Sequence, residues 1–510
     1  MNALKKKKGF NLFAPLFFII VAFALFCHFF GLHQTLFAYG HRQGQTAIVA
    51  AYFLKGGPWF AYELPTFGAP WAAPMEFPVY QWIIALIVHF TGAPLVLTGR
   101  IVSIVFFWIG AGILYFGLAG RIGFEKKDRW IPTALFIMAP IYLHWTRNFM
   151  IESTVLSFCL AYLLSVFQYI EKPTPPKLFL LCVLGTLSAL IKVTTFLGFL
   201  AAAGLLVVYY VWKKKFKVQA IRLALKAGVA GFFVPALFAK AWLVFGDHYK
   251  ELNPLTNNFL TASSENLKLV NYGTLAQRLS WNYWDLFLRG KINDVIGYWW
   301  LMPVFIISLC YIPKQRRNLF FTLVGLYFFV PLVLWKVHYM HTYYQYSCAI
   351  FLAVAVGVLL SELLKKPGAL RTAGVFLLLF TFFLQGRGWA KFYRDKQEYR
   401  DPDFEALTTD IRNTLLPEEV LFIYGQDMSP AIPFYADRRA LMDRDLLPLS
   451  SEKIEKALML LRADGRKIGG LVNCLADREH NPADLQYRLK ILGLKSQPRF
   501  SGSLCSFYSR

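Results

Sequence analysis

Charged residues, and acidic residues above all, are scarce in this sequence. Asp, Glu, Lys and Arg make up 16% of its 510 residues, with only 30 acidic side chains, whereas 56% of the residues are hydrophobic and 17% are aromatic. A water-soluble chain cannot bury that much apolar surface. The composition therefore excludes a soluble protein and predicts a chain that crosses a membrane several times.

The shortage of acidic residues leaves a formal net charge of +24. In a soluble protein this charge would suggest nucleic-acid binding. Here the basic residues concentrate in short loops between apolar segments, as the positive-inside rule of membrane proteins expects. We therefore expect membrane lipid, and no nucleic acid, as the partner of these charges.

Cysteine is also infrequent, and its spacing resembles no metal site. Five of the seven cysteines lie in apolar segments, where a small hydrophobic side chain is the simplest interpretation: Cys27, Cys159, Cys182, Cys310 and Cys348. The other two, Cys474 and Cys505, lie in the polar C-terminal part. They could pair if that part is outside the cytoplasm.

About eleven apolar segments lie between residues 10 and 386, and a polar segment of about 120 residues follows them. We predict a transmembrane domain at residues 1–386 and a soluble domain at residues 387–510. No small-residue cleavage site follows the first apolar segment, residues 10–30, which is long enough to span a bilayer. We expect an uncleaved first helix, with the four lysines at residues 5–8 in the cytoplasm.

The basic loops set the orientation of the spans. Residues 121–129 are strongly basic and are placed inside, which requires that residues 76–92 do not cross the membrane but form an amphipathic helix on the outer surface. The long first loop, the ends of later spans and the C-terminal domain then all lie outside. Inner loops carry about twice as many lysines and arginines as the outer segments before residue 386.

The C-terminal segment has the pattern of a small α/β domain. Its periodicity predicts helices at residues 401–415, 451–462 and 483–492, and buried strands at 419–424 and 468–474. It contains no nucleophile, metal or phosphate-loop motif. We expect it to have a structural or substrate-positioning role.

The long outer loop at residues 31–99 suggests a reaction site at the membrane surface, because it combines ionisable groups with turn-forming prolines. It contains the stretch His-Arg-Gln-Gly-Gln-Thr-Ala at residues 41–47, and later Glu76-Phe77-Pro78. Cationic side chains from four separate segments map to the same outer face: Arg42, Arg147, Lys192, Lys336, His338 and His341. Such a cluster would suit a lipid phosphate. The alternative is that each side chain simply extends to the headgroups.

Glu76 is the candidate general base, since a carboxylate at the start of a surface helix stays ionised and could take a proton from an acceptor. Its alternative role is to stabilise the N-terminus of that helix, with Pro78 in the first turn. Glu63 and Glu152 are weaker candidates. We expect Glu152 to pair with Arg147.

His338 and His341 lie three residues apart, too few for a metal site, and proton shuttling or phosphate binding fits them better. Tyr343 and Tyr344, which follow, are typical of the aromatic belt at a membrane interface, and less often of a sugar-binding surface.

Together these residues resemble the GT-C membrane glycosyltransferases that use polyprenyl-phosphate sugars, a group with the protein O-mannosyltransferases and lipid A aminoarabinose transferases. The resemblance rests on short motifs in a shared order. These are Arg42-Gln43-Gly44-Gln45-Thr46-Ala47, Glu76-Phe77-Pro78-Val79-Tyr80, Arg100, Pro140 with residues 147–152, Lys192-Val193-Thr194 and His341-Thr342-Tyr343-Tyr344. In the C-terminal domain, Asp427-Met428-Ser429-Pro430 and Tyr435-Ala436-Asp437-Arg438 are similar too.

The resemblance implies a GT-C-like fold of about eleven spans in the cytoplasmic membrane, with the active face on the extracytoplasmic side. It implies a polyprenyl-phosphate sugar as co-substrate and no divalent metal. The donor would be bound by the following residues: Arg42, Gln43, Arg100, Arg147, Lys192, His338, His341 and Tyr344. The acceptor, whether glycan, lipid or protein, would be deprotonated by Glu76 and the anomeric configuration inverted.

One departure from the family pattern concerns catalysis. Relatives have an acidic residue in the first loop where this chain has Gln45, and Gln cannot act as a base. Either Glu76 takes that role, or the acceptor is activated in another way, or the chain is a non-catalytic partner. A lipid-linked sugar transporter is a further alternative, disfavoured because the spans are nearly free of charge in their middle. An O-antigen ligase is disfavoured by the first-loop pattern.

Overall fold

The computed structural model describes residues 13–36, 40–257, 260–426, 428–444, 449–474 and 482–510. The lysines at residues 5–8 and Asp427, both used above, lie outside the described residues. The first part of the chain forms helices α1 (Phe13–Phe29), α2 (Gly40–Leu54), α3 (Val79–Thr91), α4 (Leu95–Arg121), α5 (Trp130–Met138), α6 (Pro140–Trp145), α7 (Glu152–Glu171), α8 (Pro175–Ile191), α9 (Val193–Lys213) and α10 (Val218–Leu252).

The remaining membrane-domain helices begin at Glu265. They are α11 (Glu265–Tyr272), α12 (Leu275–Leu279), α13 (Trp281–Ile296), α14 (Leu301–Tyr311), α15 (Lys314–Val333), α16 (Trp335–Met340), α17 (Ala349–Leu364) and α18 (Ala369–Phe392). A 3-10 turn at Thr342–Ser347 links α16 to α17, and α19 (Arg394–Glu398) follows α18. The last long helix therefore continues past residue 386 to Phe392.

By length and composition, six helices of the described residues could cross a membrane: α4, α7, α9, α10, α15 and α18. The bent pair α13 and α14 would make a seventh span, and α1, α3, α8 and α17 are shorter apolar helices. Large apolar side chains such as Phe116 on α4 and Phe232 on α10 are more than half exposed, as expected where lipid covers them. The polytopic helical fold is confirmed, and the count of eleven spans stays a prediction.

Helix α17 lies at the centre of the bundle. Every residue from Ala349 to Leu363 is buried, and the helix packs against α5, α15 and α18. A helix that is apolar on all sides buries its whole circumference only inside a protein or a membrane. The core of the membrane domain therefore forms around this segment.

The first outer loop contains two helices. Residues 41–47, predicted to lie in a loop, are on α2, so their side chains point to defined faces. Helix α3 has 13 residues and is about 20 Å long, shorter than the apolar core of a bilayer. It begins at Val79, three residues after Glu76, and Phe77 N donates instead to Leu190 O at the end of α8 (3.2 Å). Pro78, expected in the first turn, precedes the helix.

The C-terminal domain is an α/β unit, as predicted. Its helices are α20 (Pro402–Thr414), α21 (Ala431–Ala436), α22 (Ser451–Ala463) and α23 (Pro482–Leu492), and its strands are β1 (Val420–Tyr424), β2 (Ala440–Asp443), β3 (Ile468–Cys474), β4 (Phe500–Ser501) and β5 (Cys505–Ser509). The sheet order is β2-β1-β3-β5-β4. The first three strands are parallel, and β5 is antiparallel to β3 and β4. A disulfide joins Cys474 to Cys505.

The first outer loop packs directly on the C-terminal domain. The backbone around Phe67 pairs with β2: Ala440 N donates to Pro65 O (2.8 Å) and Met442 N donates to Thr66 O (3.1 Å). Glu63, a weaker candidate base, forms an ion pair with Arg439 (2.7 Å). Because the two regions share backbone hydrogen bonds, they lie on the same side of the membrane.

Candidate active site

The backbone that carries Glu76 is held by two aromatic side chains. The Tyr62 hydroxyl accepts a hydrogen bond from Met75 N (2.6 Å) and donates one to Glu76 O (2.9 Å). The indole of Trp242 on α10 donates to Met75 O (2.8 Å) and packs edge-on against Phe77. The backbone of Glu76 is therefore held from one side by Tyr62 of the same loop and from the other by Trp242 of α10.

Glu76 forms an ion pair with Arg42. The same guanidinium donates to Gln45 Oε1 (2.6 Å), one turn further along α2, so Arg42 bridges the candidate base and Gln45. Burial by itself would raise the pKa of Glu76, but the charge and hydrogen bond of Arg42, together with Lys192, outweigh it and hold that pKa below its ordinary value. The carboxylate is therefore ionised at neutral pH.

A second ion pair joins Lys192 to Glu152 (2.6 Å). Lys192 has an extended backbone at the turn between α8 and α9, and Glu152 is the first residue of α7. Their side chains are only 6% and 4% exposed. The expected pair of Glu152 with Arg147 is wrong, because packing of α7 against the α8–α9 hairpin brings Lys192 to this carboxylate.

Two tyrosines line the Lys192 side of the cluster. The Lys192 ammonium lies 4.5 Å from the ring centroid of Tyr344 and 5.5 Å from that of Tyr343, a cation–π arrangement. His341 stacks on both rings at 5.4–6.0 Å. Tyr343 is only 6% exposed. Tyr343 therefore lies inside the protein and not in the aromatic belt, while Tyr344 is partly buried beside Lys192.

His338 is completely buried beside this cluster. Its Nδ1 lies 3.0 Å from Gln345 Nε2, while Gln345 Oε1 accepts from the Cys348 thiol. Because the amide nitrogen is a donor, Nδ1 accepts and Nε2 carries the proton. Burial, then Lys291 and Lys192, lowers the pKa of His338 well below its ordinary value. The neutral ring thus presents an N–H at Nε2, which has no hydrogen-bond partner among the described residues.

Arg100 and Arg147 bind the chain that follows α1. Arg100 donates to three carbonyl oxygens, those of Leu32 (2.5 Å), Gln34 (2.6 Å) and Thr35 (3.2 Å). Arg147 donates to the carbonyl of Gly31. These contacts give both arginines a structural role, and their predicted part in donor binding stays a prediction.

Gln43 contacts the same region, because its Oε1 accepts a hydrogen bond from Phe149 N (3.0 Å). Tyr62, Lys291 and Gln345 were not predicted as site residues, and Tyr343 was predicted to lie in the aromatic belt. The signal available for Tyr343 and Gln345 was their position in or just after the stretch His341-Thr342-Tyr343-Tyr344. In the described part of the chain no group of three or more His, Cys, Asp or Glu residues could hold a metal ion.

Comparison with known proteins agrees with this architecture. Residues 73–238, which include Glu76, Glu152 and Lys192, match the family model of dolichyl-phosphate-mannose-protein mannosyltransferases. No curated protein sequence matches the chain.

Solved structures of membrane glycosyltransferases match nearly the whole chain in fold. The apo structure of ArnT from Cupriavidus metallidurans has a TM-score of 0.63 at 12% identity, with 98% of this chain and 97% of that one covered. The same protein bound to undecaprenyl phosphate has a TM-score of 0.61 at 13% identity, with 97% and 98% covered. The arabinofuranosyltransferase AftD from mycobacteria has a TM-score of 0.56 at 15% identity, with 97% of this chain but 40% of AftD covered. The sequence resemblance is thereby confirmed at the level of architecture, because the chain shares the GT-C fold of these structures.

Proposed function

We propose that the protein transfers a sugar from a polyprenyl-phosphate donor to an acceptor on the extracytoplasmic side of the cytoplasmic membrane. The observation that carries the proposal is the pair of neighbouring ion pairs, Arg42–Glu76 and Lys192–Glu152. The match of residues 73–238 to a mannosyltransferase family, and the fold shared with a protein that binds undecaprenyl phosphate, support it.

The donor phosphate would be bound by Arg42, Lys192 and the Nε2–H of His338. Glu76 neutralises Arg42 and Glu152 neutralises Lys192, so these four side chains together carry no net charge before the donor binds. A phosphate diester brings one negative charge, which a guanidinium and an ammonium can share with their present partners. Tyr344, against which Lys192 already lies, would limit how far that ammonium moves.

In the reaction we propose, the acceptor hydroxyl or amine transfers its proton to Glu76 as its heteroatom attacks the anomeric carbon. The bond from that carbon to the phosphate oxygen breaks, polyprenyl phosphate leaves, and the configuration inverts. The cations stabilise the charge that develops on the leaving phosphate. Arg42 links the two events, because a guanidinium drawn toward the phosphate weakens its hold on Glu76 and lets burial raise the pKa of this base.

The test is turnover by purified protein in nanodiscs, with radiolabelled undecaprenyl-phosphate sugars and a cell-surface glycan fraction. Replacement of a general base is expected to reduce the rate about 10²–10⁴-fold, so Glu76→Gln should lose transfer while it still binds donor. Glu63→Gln, in the same loop but paired with Arg439, is the matched control and should retain activity. Transfer that survives Glu76→Gln would refute the assignment of the base. The absence of transfer with every donor would refute the proposed activity.

A non-catalytic role is the second candidate, and the contact of Gln45 with Arg42 is the observation that favours it. An acid at this position would give Arg42 a second carboxylate and add a possible base beside Glu76. If the chain lost activity through this substitution, Gln45→Asp should create transfer that the wild type lacks. If the wild type is active, the same variant should change its rate by less than the loss seen in Glu76→Gln.

A further inference from the structure

The C-terminal domain has a cavity at the edge of its parallel sheet. It encloses about 190 Å³, and Gln426, two residues after β1, and Cys505, paired with the last residue of β3, are among its lining residues. The chain passes from β1 to β2 and then back across β1 to β3, so the strand order reverses between β1 and β3. In open α/β sheets, ligands bind outside the carboxyl ends of the strands at this reversal.

The lining of this cavity is acidic and polar on one side and apolar on the other. The groups that could contact a ligand are Asp401, Asp403, Gln426, Ser429, Phe404 and Phe500. The hydroxyl and then the backbone N–H of Ser503 hold the pKa of Asp403 below its ordinary value, so this carboxylate is ionised at neutral pH. Gln426 Oε1 is buried and has no hydrogen-bond partner among the described residues.

No Lys, Arg or His is among the described residues that line the cavity. Two carboxylates without a cation repel phosphate and carboxylate ligands but accept hydrogen bonds from hydroxyl and ammonium groups. The neighbouring phenylalanines suit the apolar face of a ring. This chemistry fits a polyhydroxylated ligand that is uncharged or carries an amine.

The cavity adjoins the helix that carries Arg42. Gly40 lines it, and one turn along α2 a Cβ on Gly44 would lie 3.0 Å from Ala431 N, so α2 packs closely on the C-terminal domain at this face. At 100° per residue, Arg42 and Gln45 point away from this face toward Glu76. The cavity and the ion pairs therefore lie on opposite sides of one helix, about 10 Å apart.

We infer that this cavity is an acceptor subsite that binds an internal sugar unit, neutral or amine-bearing, of an oligosaccharide whose end reaches Glu76. The inference rests on the proposed function, because it assigns the second substrate of the same reaction. A ligand that fills the cavity and reaches across α2 must be longer than one sugar ring. The acceptor is thus a glycan and not a free monosaccharide.

The test is binding of three trisaccharides to the full chain in nanodiscs, measured by calorimetry: maltotriose, a glucosamine trimer and the acidic galacturonic acid trimer. Maltotriose, the glucosamine trimer or both should bind, and the acidic trimer should not. Asp403→Asn, which keeps the oxygen that Ser503 donates to, should weaken binding at least tenfold. Glu405→Gln, an exposed acid on the same helix outside the cavity, should leave it unchanged. Equal binding of the acidic trimer, no binding of any trimer, or unchanged affinity in Asp403→Asn would overturn the inference.

The Glu76→Gln variant separates this inference from the proposed function. It should bind the trisaccharide as the wild type does while transfer is lost. Transfer onto glycan with no trisaccharide binding would refute the subsite and keep the enzyme. Trisaccharide binding with no transfer from any donor would refute the proposed activity and keep the subsite.

Discussion

The buried pair of Lys192 and Glu152 predicts a large, specific loss of stability in Glu152→Gln. At the observed 2.6 Å, the gross attraction of two unit charges is about 6 kcal/mol at an effective dielectric constant of about 20. Removal of one partner from a buried pair costs about 3–5 kcal/mol, because the other charge stays buried without compensation. Glutamine keeps an oxygen that can accept from the ammonium, so we expect the lower end, about 3 kcal/mol.

The charge explanation is tested by the double variant Glu152→Gln/Lys192→Met. Methionine keeps an apolar stem against Tyr344 but removes the charge, so the double variant should recover most of the loss. An exposed pair gives the matched control: Lys268 and Glu265 are 2.7 Å apart, with side chains 50% and 86% exposed. Glu265→Gln should therefore cost less than about 1 kcal/mol.

The measurement is reversible unfolding in mixed micelles as the fraction of a denaturing detergent is raised. Unfolding is followed by tryptophan fluorescence for the wild type and the three variants. A loss of stability in Glu152→Gln no larger than in Glu265→Gln would refute the reasoning. So would a double variant that is less stable than Glu152→Gln, since the cost would then come from lost packing and not from an uncompensated charge.

Three further predictions concern other contacts. Arg42→Gln removes the cation that lowers the pKa of Glu76, while burial still raises that pKa. Since the base must be ionised to act, the acid limb of the pH–rate profile should move to higher pH. An acid limb that does not move would contradict the Arg42–Glu76 pairing. Arg100→Ala leaves three backbone carbonyls without their donor. Each lost partner costs about 1–3 kcal/mol, so the free energy of unfolding should fall by at least about 3 kcal/mol. An unchanged unfolding midpoint would contradict a structural role for Arg100. Replacement of Cys474 and Cys505 by serine opens a loop with a sequence separation of 31, and should destabilise the C-terminal domain by about 3–4 kcal/mol, with the unfolding midpoint of oxidised and reduced wild type as the control.

The secondary structure of the C-terminal domain was largely predictable from the sequence. Helices at Pro402–Thr414 and Ser451–Ala463 and the strand at Ile468–Cys474 lie within one or two residues of the prediction. Their apolar residues repeat with the period of the element, which is a local property of the chain. Strand β2 was not predicted, because it is only four residues long and its pairing with β1 and with the backbone near Phe67 is formed by distant segments.

The membrane domain divides in the same way. Apolar length predicted the apolar helices but not α2, whose residues 41–47 were expected in a loop, and composition alone excluded a soluble protein. The sequence also singled out Arg42, Glu76 and Lys192 as functional candidates, because charged side chains are costly near a membrane. These inferences need no knowledge of which segments are neighbours.

Only the tertiary structure decided which charged side chains form ion pairs with each other. Lys192 pairs with Glu152, 40 residues away, while Arg147, only five residues from Glu152, donates to Gly31 O. Arg100 is bound to the carbonyls after α1, and Tyr343 is buried beside Lys192. An ion pair depends on distances of a few ångströms between side chains on different helices. Those distances are set by how the helices pack, and the order of residues along the chain does not contain them.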